Sequence, residues 1–297
     1  MAISDLTAVD QTPSPEAASN LEERSASCSN WKLVLAYDGT DFDGWQVQPC
    51  RRTIQGELAS AIQRVIGERV LPQGSGRTDA GVHALAQVAS FRLAAAIPPE
   101  NLQRALNRVL PAAIRILTAE HVAEDFHARH SAIGKTYAYR IFRAALCTPW
   151  LARYVYCYDR PLDLAAMERA AAFILGEHDF TSFAATDPDR TLRETAKSTA
   201  PTVNLDINLH GRNIRTVQAS AWQVKESQGL LTYTITGSGF LHHMVRNLVG
   251  TFLDVGRGII PAESLPWILA THSRKAAGPT APARGLFLAS VEYPRND

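Results

Sequence analysis

From residue 31 the chain alternates. In "WKLVLAYD", Trp31, Leu33, Leu35 and Tyr37 fall on one side, the period of a half-buried strand. The period then lengthens. Thr53 stands where a helix N-cap belongs, and Ile54, Leu58, Ala61, Ile62 and Val65 make one apolar stripe behind it. "AQVASFRL" reads as a strand, and Leu102, Ala105, Leu106, Val109 and Leu110 mark a second amphipathic helix that ends before Pro111. "AIRILTAE" is the next strand.

The second half repeats this order. "KTYAYRIF" places Tyr137, Tyr139 and Ile141 on one face of a strand, and "DLAAMERAAAFILG" is a helix stopped by Gly176. "VNLDINL" and "GLLTYTITG" read as strands, Leu241 to Val255 as a helix with Gly256 as its terminal glycine, and "RGLFLASVEY" as a closing strand. Two successive β-α-β units with extra strands predict an α+β fold: two ferredoxin-like halves sharing an extended antiparallel sheet, with helices on one face. The expected division is a tail over 1–30, an N-terminal half over 31–125 and a C-terminal half over 126–297. Two connections, about 143–160 and 177–202, exceed ordinary loop lengths and are expected to bind something. The second carries Arg190, Arg193 and Lys197 among phenylalanines, as an RNA-facing loop would.

Composition narrows the class without naming it. With 46% hydrophobic and 20% charged residues over 297 positions, the chain has the make-up of a globular protein with an ample core. No run reaches the roughly 18 apolar residues of a membrane span. The first thirty residues lack a basic segment followed by an apolar one, so they read as a disordered acidic tail and not a signal peptide. That tail carries a net charge of −4 against +1 for the whole chain, which leaves the body at +5. A mild positive excess is compatible with RNA or a phosphate ligand. Cys28, Cys50, Cys147 and Cys157 form no C-x-x-C pair, as expected of reduced thiols in a cytoplasmic protein.

One stretch carries charge that a turn does not require. "GSGRTDAGVHALAQ" sets Arg77 and Asp79 on a glycine-rich turn leading into a strand. It lacks the lysine and hydroxyl of a Walker loop and the spacing of a dinucleotide fingerprint. A structural turn with an Arg/Asp pair is the plain alternative; a reactive carboxylate at a strand mouth is the sharper one. Asp38, Asp41 and Asp43 in "YDGTDFDGWQ" do not fit a calcium loop, and turn chemistry around a packed Trp45 accounts for them. "FHARHSA" gathers His127, Arg129 and His130 before the strand of Tyr137, a basic cluster suited to an RNA surface. In "GFLHHMVRNLVG", His242 and His243 have no third metal ligand nearby in sequence, and no metal is expected. Arg246 lies on the largely apolar helix that follows; a buried arginine demands a carboxylate, and Asp79 can supply it.

Taken in order, "YDGTDFDGWQ", "GRTDAGVHA", "FHARHSAIGKTYAYRI", "FTSF", "HHMVRNLVG" and "ARGLFLASVEY" resemble the TruA-type tRNA pseudouridine synthases, from about Lys32 to Tyr293. The resemblance implies the pseudouridine synthase fold and isomerisation of uridine at positions 38, 39 and 40 of the tRNA anticodon arm. It implies a homodimer and neither cofactor nor metal. Asp79 matches the family's essential aspartate, and Arg77 the arginine that helps hold the flipped nucleotide. Tyr137 matches the tyrosine that stacks on the target base, and Arg246 the basic partner of the aspartate. His127 and Arg129 are expected to be further RNA contacts.

The chemistry suits these residues. The bond from ribose C1′ to N1 must break, the uracil must turn, and C5 must bond to the same carbon. Nothing is oxidised, so no redox cofactor is required. A carboxylate can attack C1′, act at C6, or assist loss of the C2′ proton, and the sequence leaves the three routes open. Extruding the uridine costs a few kcal/mol, which stacking and phosphate contacts would offset. An RNA-binding module without chemistry and an Asp-dependent nucleotide hydrolase are the rivals.

Overall fold

The computed structural model describes residues 28–185, 213–225 and 229–294. Strand β1 (Ser29–Tyr37) buries Trp31, Leu33, Leu35 and Tyr37 as the alternation requires. Helix α1 (Ile54–Ile66) starts at Thr53, whose side chain accepts from the Gly56 N–H, and stops at Gly67 with φ 85°. That glycine meets the left-handed turn at no steric cost. The short strand β2 (Gln73–Gly74) lies on the long strand β3 (His83–Leu93). Helix α2 (Pro99–Val109) and strand β4 (Ile114–Val122) follow.

Beyond them come β5 (Gly134–Phe142), α3 (Pro149–Ala152), β6 (Tyr156–Cys157), α4 (Leu164–Ala172) and β7 (Gly176–Asp179). Strands β8 (Ile214–Lys225) and β9 (Leu230–Gly237) lead to α5 (Met244–Gly256), α6 (Ser264–Ala270) and β10 (Leu286–Glu292). The main sheet runs β4, β1, β3, β10, β5, β9, β8, β7, with β2 attached to β3 and β6 to β5. The buried positions of β1, β5 and β9 share one core with the apolar stripes of α1, α2, α4 and α5. No described helix is long and apolar enough to cross a membrane.

The mixed sheet with its helices is the expected α+β architecture. Most pairings are antiparallel, but the seam is not: β10 runs parallel to β3 and antiparallel to β5. The last strand of the chain thus lies between the strand leaving the Asp79 turn and the strand bearing Tyr137. Strand β8 was not legible in the sequence. It buries only Val217 and Trp222, and a bulge between Val217 and Ala219 breaks the alternation that would have announced it. The expected strand "VNLDINL" and Arg190, Arg193 and Lys197 lie outside the described residues.

Two helix ends also differ from expectation. Helix α4 stops at Ala172, and Gly176, at φ 94°, opens β7 instead of capping the helix. At the end of α5, the left-handed turn belongs to Gly258, at φ 70°, while Gly256 is the last helical residue. A Cβ on Gly256 would come within 2.6 Å of the Met167 sulfur on α4, so packing accounts for that glycine.

Candidate active site

Asp79 sits on the turn between β2 and β3, and the turn is fastened on every side. Ser75 N–H donates to Val88 O at 2.8 Å and its hydroxyl to Gln87 Oε1 at 2.7 Å; Gln87 Nε2 donates to Gly76 O at 3.0 Å. Tyr37 and Thr78 share a hydroxyl–hydroxyl bond of 2.8 Å, and burial pushes the Tyr37 phenol up to about 12. The "YDGTDFDGW" loop backs the turn: Trp45 N–H donates to Thr78 O at 3.0 Å. Gly44, at φ 87°, lies so close that a Cβ would stand 2.6 Å from that same oxygen. Gly74 packs on the Trp45 ring. The aspartates of this loop serve structure: Arg153 bonds Asp38 at 3.1 Å and Asp41 at 2.7 Å, and Tyr154 donates to Asp38 at 3.0 Å. The long connection after β5 is therefore a brace for the loop behind Asp79.

Helix α5 delivers the partner. Arg246 Nη1 donates to Asp79 Oδ2 at 2.9 Å, with the two side chains 15% and 17% exposed. Arg246 is itself aimed by Ala281, whose carbonyl accepts from its Nε at 2.8 Å and whose N–H donates to its backbone oxygen at 3.0 Å. A charge-assisted bond of this length, with its donor tied from behind, fixes the carboxylate's orientation. Among the described residues the other oxygen, Oδ1, accepts no hydrogen bond, and His242 Nε2 stands 3.6 Å from it. Asp79 is thus anchored by one oxygen and presents the other to the cleft.

The helix begins later than expected, and this brings two more residues to the site. His243 is its N-cap at φ 60°, a left-handed conformation seldom seen away from glycine, so residues 241–243 form a turn ahead of the helix. That turn sets His243 Nε2 3.4 Å from Asp79 Oδ2. Burial holds the His243 imidazole below its ordinary pKa. The third potential metal ligand that the sequence did not show is Asp79: its carboxylate and the two imidazoles lie within 4.8 Å of one another. Arg246 already occupies one carboxylate oxygen, an arrangement better suited to an anion held ready than to a cation cage.

Asp79, His242 and His243 line a cleft of about 700 Å³ together with Trp45, Arg77, Arg129, Lys135, Tyr137 and Phe240. Tyr137 is 7% exposed, its ring set edge-on to Phe240 at 5.1 Å, and burial raises its phenol's pKa. A deeply seated, protonated ring of this kind offers a face to a planar base. Arg77 is exposed at the rim. The fold therefore gathers Arg77, Asp79, Arg129 and Tyr137 around one space, and Arg246 reaches it through its bond to Asp79. His127 is not part of the lining: its Nδ1 accepts from the Arg129 N–H at 3.0 Å, which shapes the turn that carries Arg129. Lys135, His242 and His243 are the site residues that pattern reading did not select. Lys135 carried a signal, standing two residues before Tyr137 on the same strand face.

A family model described as tRNA pseudouridine synthase matches residues 33–131 and 170–294. The chain is 49% identical over 263 residues to tRNA pseudouridine synthase A of Solibacter usitatus, covering 88% of this chain and 98% of that one. It is 44% identical over 266 residues to the protein of the same name from Moorella thermoacetica, with the same coverage of 88% and 98%. The corresponding Maridesulfovibrio salexigens protein is 41% identical over 263 residues, 88% of this chain and 89% of that relative.

Proposed function

The chain belongs to the tRNA pseudouridine synthase family, and from that premise we propose that it isomerises uridine at positions 38, 39 and 40 of the tRNA anticodon arm with Asp79 as its catalyst. The observation that supports the assignment of Asp79 is its anchoring: Arg246 holds Oδ2, and among the described residues Oδ1 accepts no hydrogen bond. The reaction breaks the C1′–N1 bond and joins C1′ to C5; C5 gives up its proton and N1 gains one. Every heavy atom of the uracil is kept and nothing is oxidised, so the carboxylate needs no redox or metal partner for the steps assigned to it.

The rest of the cleft has roles that follow from position. Tyr137 stacks on the extruded uracil, and Arg77 at the rim takes the place the nucleotide leaves or holds its backbone. Arg246 orients Asp79, Arg129 meets RNA, and His127 supports Arg129. Residues 31–125 bring the carboxylate and residues 126–297 the arginine and the stacking ring, so the division between the halves runs through the site. The protein acts in the cytoplasm as a homodimer, which sedimentation would report as a species of twice the chain's mass; a monomer under active conditions would refute the dimer.

The position assignment is tested with tRNA transcripts that keep a single anticodon-arm uridine at 38, 39 or 40. Each is expected to yield pseudouridine at that site, and a transcript with none of the three is expected to stay unmodified. Modification of the last transcript, or of uridines elsewhere in the tRNA, would contradict the assignment.

A further inference from the structure

Lys135, on β5, is a charged residue of the cleft that the reaction above does not use. Its side chain stands on the same face as that of Tyr137, two residues and so roughly 7 Å along the strand. Its ammonium lies against the catalytic turn: a Cβ on Gly76, next to Arg77, would stand 3.4 Å from Lys135 Nζ. The charges that act on it are two more cations, Arg129 from the turn before β5 and Arg215 from β8. Among the described residues, neither Lys135 nor Arg129 has a carboxylate within ion-pair reach. Asp43, Arg51, Arg77, Asp79, His242 and His243 line the same cleft, but Asp79 is already engaged by Arg246.

Such a cluster is costly in the empty protein. Burial and the two arginines pull the Lys135 ammonium down from 10.5 to about 8, and since Lys135 and Arg129 have no carboxylate beside them among the described residues, an anion seated there would relieve that cost. The cleft's substrate is polyanionic and brings one phosphate per nucleotide. A base stacked on Tyr137 has its own phosphate several ångströms away, comparable to the roughly 7 Å that separates Tyr137 from Lys135 along the strand, and the missing side chain at Gly76 leaves space that the Lys135 side chain fills.

We propose that Lys135, flanked by Arg129 and Arg215, is the seat for the phosphodiester adjoining the extruded uridine, so that it fixes the register between the RNA backbone and Asp79. The inference rests on the tRNA reading of the cleft, but its test is one of binding and does not depend on turnover.

The test compares the parent with Lys135→Met and Lys135→Arg, measuring tRNA dissociation constants across salt and pH. Lys135→Met is expected to bind on the order of tenfold more weakly, with a salt slope lower by about one; Lys135→Arg restores both. The parent's affinity should fall as pH rises through about 8, where the free ammonium loses its proton, and Lys135→Arg should be flat there. Lys135→Met should melt no lower than the parent, since it removes an uncompensated cation, and this separates lost contact from lost fold. In a second arm, single methylphosphonates replace the phosphates flanking the target one at a time. One of them should weaken binding to the parent and not to Lys135→Met. An unchanged salt slope in Lys135→Met overturns the seat, and so does a methylphosphonate cost that is the same in both proteins at every linkage. Absence of pseudouridine with the parent, alongside these binding shifts, would count against the enzymatic reading and leave the seat standing.

Discussion

At the scale of single residues, the site is one carboxylate and the groups that aim it. The pairing of Asp79 with Arg246 was legible in the sequence for a physical reason: an arginine on an apolar helix needs a buried anion, and the glycine-rich turn offered one. The histidines were not legible, because their nearness to Asp79 depends on the left-handed residue His243 and on contacts spanning more than 160 positions. The account makes a split prediction for Arg246. Arg246→Lys keeps the charge but cannot bond both Asp79 and the Ala281 carbonyl, so kcat should drop roughly hundredfold through misplacement of the carboxylate. Arg246→Met should drop at least as far, with tRNA affinity changed by no more than a few-fold in either. Rapid-quench turnover beside filter binding checks this; full kcat in Arg246→Lys would mean that the fork geometry does not matter.

At the scale of elements, most strands and helices were readable because apolar period and caps agree. Thr53 and Gly67 bracket α1 as their residue types predict. The failures share a cause. Gly256 and Gly176 looked like helix stops, yet one is a packing contact and the other opens a strand, since a glycine in sequence does not tell its reasons apart. Helix α5 shows how an element sets the chemistry. Gly250, one turn beyond Arg246, lies where a Cβ would collide with the Pro279 carbonyl, beside the segment that ties Arg246. Gly250→Ala should cost about 1–3 kcal/mol and lower kcat tenfold or more by displacing the arginine. Gly67→Ala, at φ 85° with open space around it, should cost about 1 kcal/mol and leave kcat untouched. Melting curves with single-turnover rates separate the two, and equal effects on kcat would sink the idea that α5 is held in place by that close approach.

For the whole molecule, the α+β class was readable, but the order of the strands in the sheet was not. Nothing in "RGLFLASVEY" announces that β10 will pair in parallel with β3, because register across such a distance is decided by the full sheet. That pairing explains why the cleft draws on segments far apart in the chain: the carboxylate lies between β2 and β3, the Tyr137 ring is on β5, and β10 pairs with both β3 and β5. The central claim is that this shared cleft makes Asp79 the reacting group on a uridine base. The most direct measurement is tritium release from tRNA carrying [5-³H]uridine, made with the parent and with Asp79→Asn. The account predicts release by the parent, none above background by Asp79→Asn, and tRNA binding by the variant within a few-fold of the parent. Release by a folded Asp79→Asn protein at the parent's rate would contradict it.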